Sequence, residues 1–80
     1  MITDCTMWFY WGDYHLRGTI DNEPSFSTLS NAQTRCHELG SDCTAVTTCP
    51  DCNDYVLISS QSQPSPSIAG WETWMKAVAC

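Results

Sequence analysis

The sequence predicts an α+β fold, a small disulfide-rich antiparallel sheet packed against one short helix. Three observations carry that expectation: six cysteines in 80 residues, one capped amphipathic stretch between Ser30 and Leu39, and β-branched or aromatic runs on both sides of it. Eighty residues make one domain, and a chain of this size buries too little apolar surface to be comfortable without cross-links. The domain is expected over residues 5–80, with residues 1–4 as an N-terminal tail that includes an initiator Met.

From the N-terminus, Met7-Trp8-Phe9-Tyr10-Trp11 suits a strand. Side chains alternate along a strand, so these five cannot all enter one core. Met7 and Phe9 are the natural inward pair, which would turn Trp8 and Tyr10 outward. Gly12-Asp13 breaks the run, either as a tight hairpin loop with Gly at the position of positive φ or as a bulge. The strand resumes at Tyr14, and residues 18 to 28 read as a connecting loop.

Ser30 and Gln33 make a Ser-x-x-Gln capping box, which starts the helix at residue 31. Gly40 ends it after residue 39. Leu29, Ala32, Cys36 and Leu39 then form one narrow apolar stripe. A helix this short must lean on a sheet.

Thr44 to Thr48 and Tyr55 to Ser59 read as the two strands of a hairpin, joined through Cys49-Pro50-Asp51-Cys52. Pro50 rules out a primed turn there, so Asn53 is expected in a left-handed conformation within a longer loop. Residues 59 to 70, rich in Ser, Gln and Pro, read as a surface loop. Trp71 to Cys80 is expected to be the last strand. On it Glu72, Trp74 and Lys76 share a face, which would put Trp74 on the wetter side.

Six cysteines allow 15 pairings, and the hairpin prunes them. Cys43 would sit roughly 20 Å from the turn that holds Cys49 and Cys52, too far for a disulfide. Cys43 meets Cys36 instead, because the chain turns back along the helix after Gly40. Cys49 and Cys52 face each other across the turn, and Cys5 is left to pair with Cys80 between the outermost strands. In the loop-entropy account the Cys5–Cys80 bridge is worth roughly 4–5 kcal/mol and each short loop about 2–2.5 kcal/mol.

The order of these pieces resembles the PAN/apple domain: a cysteine and aromatics near the N-terminus, Ser-x-Ala-Gln with an internal cysteine, Asp-Cys-Thr-Ala-Val, Tyr-x-Leu, and a terminal Trp-x-x-Trp-Met-Lys-x-x-x-Cys. In outline it is similar to the small leech anti-platelet proteins of that class. The resemblance spans Cys5 to Cys80. The family's helix carries two cysteines one turn apart, whereas Ala32 stands at the earlier position here. That leaves the strand cysteine corresponding to Cys52 without a helix partner, a place Cys49 can take. The resemblance implies an extracellular recognition module with matrix or cell-surface targets.

The charge is −6, from three basic and nine acidic residues, which disfavours nucleic acid and anionic membranes. No apolar run approaches the roughly 20 residues that span a bilayer, so a soluble protein without membrane insertion is expected. Even cysteine usage points to an oxidising compartment and secretion.

Cys-Pro-Asp-Cys lies between strands and reads as a structural turn bridge rather than a redox pair. His15 and His37 are the only histidines and supply no zinc set. Asp51 and Asp54 flank a turn without the calcium-loop spacing. No nucleophile motif is present. No catalytic residue, metal ligand or cofactor is therefore assigned.

The aromatic surplus remains, nine of 80 residues. Trp8, Tyr10, Tyr14 and Trp74 are the ligand-binding candidates, since rigid aromatics give contact area at low entropy cost. The bland use of the same residues is core filler. The function expected is non-catalytic recognition of an extracellular protein or glycan, in adhesion or at the cell surface. The alternative is a small secreted signal, pheromone or toxin-like, acting through receptor binding or as a homodimer through the aromatic face.

Overall fold

A computed structural model describes residues 6–15, 18–20, 23–59, 65–66 and 70–78. Among them the elements are β1 (Thr6–Gly12), β2 (Tyr14–His15), α1 (Leu29–Glu38), β3 (Ala45–Thr48), β4 (Val56–Ile58), β5 (Ser65–Pro66) and β6 (Glu72–Val78). Four strands form an antiparallel sheet in the order β1-β6-β3-β4, while β2 and β5 pair separately. The chain thus adopts a small disulfide-rich α+β fold with its sheet packed against one short helix.

Helix α1 begins two residues earlier than its capping box implies. Thr28 is the N-cap, with extended backbone, and its Oγ1 accepts from the Asn31 N–H at 3.2 Å. Ser30 already lies in the helix and accepts from Thr34 Oγ1 at 2.9 Å. The earlier start takes Leu29, already on the expected stripe with Ala32, Cys36 and Leu39, into the helix itself; Ala32 and Cys36 are fully buried, and the two leucines pack against them. Gly40, at φ 62°, ends the helix as expected.

A lysine from the sheet completes that end. Lys76 Nζ donates to the carbonyls of Cys36 at 2.8 Å and Gly40 at 2.6 Å, so a cation sits on the negative end of the helix. Cys36–Cys43 then ties helix to strand, with Cα atoms 5.2 Å apart and both residues fully buried.

The expected hairpin forms, with register Ala45↔Ile58, Val46↔Leu57 and Thr47↔Val56. Its loop is closed by Cys49–Cys52 and by Cys52 N–H donating to the Cys49 carbonyl at 3.1 Å. Asn53 is not left-handed. Asp13 is the one non-glycine of positive φ among the described residues, so the Pro50-Asp51 turn is type I. Thr48 Oγ1, donating to the Asp54 carbonyl at 2.7 Å, closes the longer loop without strain.

Two segments read as loops carry pairing. Residues 18–20 and Phe26 lie along the outer side of β4, through bridges Thr19↔Ile58 and Phe26↔Tyr55. Glu23 fixes this strip to α1 by a two-pronged ion pair with Arg35, at 2.9 and 3.0 Å. Within 59–70, Ser65–Pro66 pairs with Tyr14–His15.

The last strand is not outermost: β6 lies between β1 and β3. Register Thr6↔Val78 places the two terminal strands side by side over seven residues each. The expected Cys5–Cys80 bridge lies outside the described residues.

Candidate functional site

Strand alternation fixes two faces. Trp8, Tyr10, Trp74, Lys76, Val46 and Leu57 face α1, because Trp74 stands opposite both Tyr10 and Val46, and Val46 opposite Leu57. Met7, Phe9, Trp11, Thr73, Met75, Ala45 and Ile58 face the other way. This reverses the expected polarity of both flanking strands. Trp8 and Trp74 are partly buried against the core of Ala32, Cys36, Cys43, Val46 and Leu57, whereas Met7 and Phe9 are 49% and 51% exposed.

The helix explains the reversal. It offers only Ala32 and Cys36 at its centre, and small side chains on one layer need large ones on the other to reach native density. Two indoles from β1 and β6 fill that space. Trp74 also packs between two tyrosines, with ring centroids 5.5 Å from Tyr10 and 5.8 Å from Tyr55. Of the four candidate aromatics, Tyr10 alone is largely exposed, at 59%.

Tyr14 is half-buried and has a structural neighbourhood. Its ring meets Trp11 edge-on at 5.2 Å, and its carbonyl accepts from Thr73 Oγ1 at 3.0 Å. Thr73 lies 3.0 Å from Thr47 Oγ1, which also reaches the Glu72 carbonyl at 2.9 Å. Two hydroxyl protons thus serve three contacts beneath β2, and that end of the open face is covered.

The rest of the face is apolar. An open depression of about 520 Å³ is lined by Phe9, Trp11 and Met75 of this face together with Tyr10 and Lys76, their neighbours on β1 and β6. Lys76 is the lining residue with a charged side chain, and its ammonium is committed to the end of α1; burial pushes its pKa down. Among the described residues no carboxylate lines the depression. Such a surface offers rings, a thioether and peptide edges, which suit an apolar or neutral ligand rather than an anion.

Sequence reasoning missed Met7, Phe9, Trp11 and Met75 as surface-forming residues. The signal for them was in the helix, whose small stripe demands the tryptophans and so sends their neighbours outward. Among the described residues, no three His, Cys, Asp or Glu side chains converge as a metal set, and no helix is long and apolar enough to cross a membrane. No protein-family model, curated protein or solved structure matches this chain.

Proposed function

We propose that this chain is a non-catalytic recognition module of an oxidising, extracellular compartment, binding a protein or glycan through the open β1–β6 face. The observation that carries the reading is the exposure of Met7 and Phe9 on that face, with Tyr10 exposed beside them on the same strand, at a depression whose one charged lining residue, Lys76, is committed to the end of α1. Soluble domains seldom leave neighbouring large apolar side chains in water without a partner. Cys36–Cys43 and Cys49–Cys52 support the compartment. The resemblance of Cys5 to Cys80 to PAN/apple domains points the same way.

Protein and glycan arrays probed with the oxidised chain test the reading. Phe9→Ala and Met75→Ala are expected to lower a confirmed interaction about tenfold or more. Trp8→Ala and Trp74→Ala should act through stability. Binding unchanged in both Phe9→Ala and Met75→Ala removes the face from consideration. The second reading, a small secreted signal that self-associates, is favoured by one feature, the uncharged outer edge of β1.

A further inference from the structure

The two edges of the sheet are treated differently. Beyond β4, residues 18–20 and Phe26 cover the edge: Ile20 N–H donates to the Leu57 carbonyl at 3.0 Å, Ser59 N–H to the Gly18 carbonyl at 2.9 Å, and Phe26 and Tyr55 exchange bonds of 2.9 and 2.7 Å. Beyond β1, no strand among the described residues pairs. This edge is seven residues long and contains no Lys, no Glu or Asp, and no Pro, the devices by which sheet proteins usually discourage edge pairing.

The backbone groups on that edge can be named. Asp13 N–H donates toward β6, to the Trp71 carbonyl at 2.8 Å, whereas Lys76 N–H donates away from β1, to the Thr44 carbonyl at 2.9 Å. Antiparallel ladders alternate between bonded and non-bonded pairs. Phe9 and Trp11 therefore bond to β6, while the N–H and C=O groups of Thr6, Trp8, Tyr10 and Gly12 point outward.

We infer that β1 pairs with β1 of a second copy of this chain, antiparallel about a twofold axis at Phe9. In this register Trp8 stands opposite Tyr10 of the partner and Thr6 opposite Gly12, each pair exchanging two bonds, for about eight in all. Phe9 meets its own copy as a non-bonded pair, where side chains approach most closely. Centring on Phe9 uses the whole strand, since it is the middle residue of Thr6–Gly12.

Charge and area both bear on the occupant. A copy carrying −6 is repelled over most of the surface, but this strip brings no like charges together. A full aromatic side chain buries roughly 150–250 Å², so half-exposed Met7, Phe9 and Tyr10 with the strand backbone give roughly 800–1,200 Å² in total, at or below the lower end for stable complexes. The dimer is accordingly reversible. It is also closed: with the β4 edges covered, an eight-stranded sheet forms and growth stops there. The pairing sets two open faces side by side and goes beyond the ligand reading, on which it does not depend.

Sedimentation equilibrium of the oxidised full chain, from about 10 μM to about 1 mM, reads the association without any ligand. A concentration-dependent dimer is expected. Phe9→Glu, which opposes two carboxylates on the axis, and Tyr10→Pro, which deletes an outward N–H without touching the β6 ladder, should each weaken it at least tenfold; Tyr10→Ala should weaken it less than Tyr10→Pro. In the unaltered chain, the Trp8 and Tyr10 amides should gain exchange protection with concentration, while those of Phe9 and Trp11 are protected throughout. A monomer up to about 1 mM, or a dimer whose Trp8 and Tyr10 amides stay unprotected, overturns the inference.

Discussion

At the scale of single residues, backbone conformation and buried hydroxyls set the strictest constraints. Gly70 has φ 105°, and a Cβ there would lie 2.6 Å from Pro50 Cβ. Gly40 also has positive φ, yet a Cβ would meet nothing within 4 Å. Gly70→Ala should therefore cost roughly 1–3 kcal/mol and Gly40→Ala about 1 kcal/mol, an order that urea titration can check. Asp13 takes the positive φ expected of Gly12. Its carboxylate explains this: Oδ1 accepts from Gly70 N–H at 3.1 Å, so a side chain does at position 13 what a glycine cannot. Thr73→Val keeps shape but removes the donor to Tyr14. The loss should be about 1–3 kcal/mol, seen as a lower urea midpoint, and a neutral result would show that β2 is not anchored there.

At the scale of elements, the two disulfides close loops of similar entropy but sit in different surroundings. Cys36 and Cys43 are fully buried, whereas Cys49–Cys52 caps a surface turn. Replacing the first pair by alanines should cost about 3–5 kcal/mol, loop entropy plus a cavity, and the second about 2 kcal/mol. Equal urea midpoints would contradict the weight given to burial. The Glu23–Arg35 link makes a separate prediction about pH. Hydrogen bonds from the Arg35 guanidinium, ahead of its charge, hold the Glu23 carboxyl below its ordinary value near 4.5. The unfolded chain takes up that proton first. The link's contribution is thus complete above the ordinary value and disappears as pH falls through the lowered one. Thermal melts of the unaltered chain and Glu23→Gln should differ at about pH 6 and draw together as pH falls below the ordinary carboxyl value and through the lowered one; a constant gap would mean that Glu23 acts by packing alone.

What was legible in the sequence follows this same division of scale. The helix stripe, the Gly40 stop, the Cys36–Cys43 tie, the 44–59 hairpin and the Cys49–Cys52 bridge in its loop are local, and local patterns carried them. The capping box of Ser30 and Gln33 is a four-residue local pattern, whereas Leu29 joins the helix for a tertiary reason, its packing against the core. The polarity of β1 was not legible from β1. Period 2 defines two faces, and which is buried depends on what the other layer brings, here Ala32 and Cys36. For the same reason Trp8 and Trp74 were singled out as outward candidates, although they form the roof of the core.

For the whole molecule, β6 is the element on which the sheet depends. It pairs with β1 along seven residues and with β3 along four, so within the four-stranded sheet only β4 is not its neighbour. Local pattern gives no sign of this, since a strand near residue 75 joins one near residue 9. A chain ending at Ile58 keeps α1, the hairpin, both described disulfides and the strip along β4. It nevertheless loses Trp74 from the core and the partner along one whole side of β3, which leaves Val46 and Thr47 facing water. β1 then has no partner in the sheet at all. Such a chain should form its disulfides yet show poor chemical-shift dispersion and no cooperative melt. Two strands and one short helix are too little to hold a core of seven buried apolar residues. Adding back a synthetic peptide of residues 70–80 should restore dispersion in a saturable way. If the shortened chain melts cooperatively alone, residues 18–58 are the folding unit and the β1–β6 pair is an appendage to it.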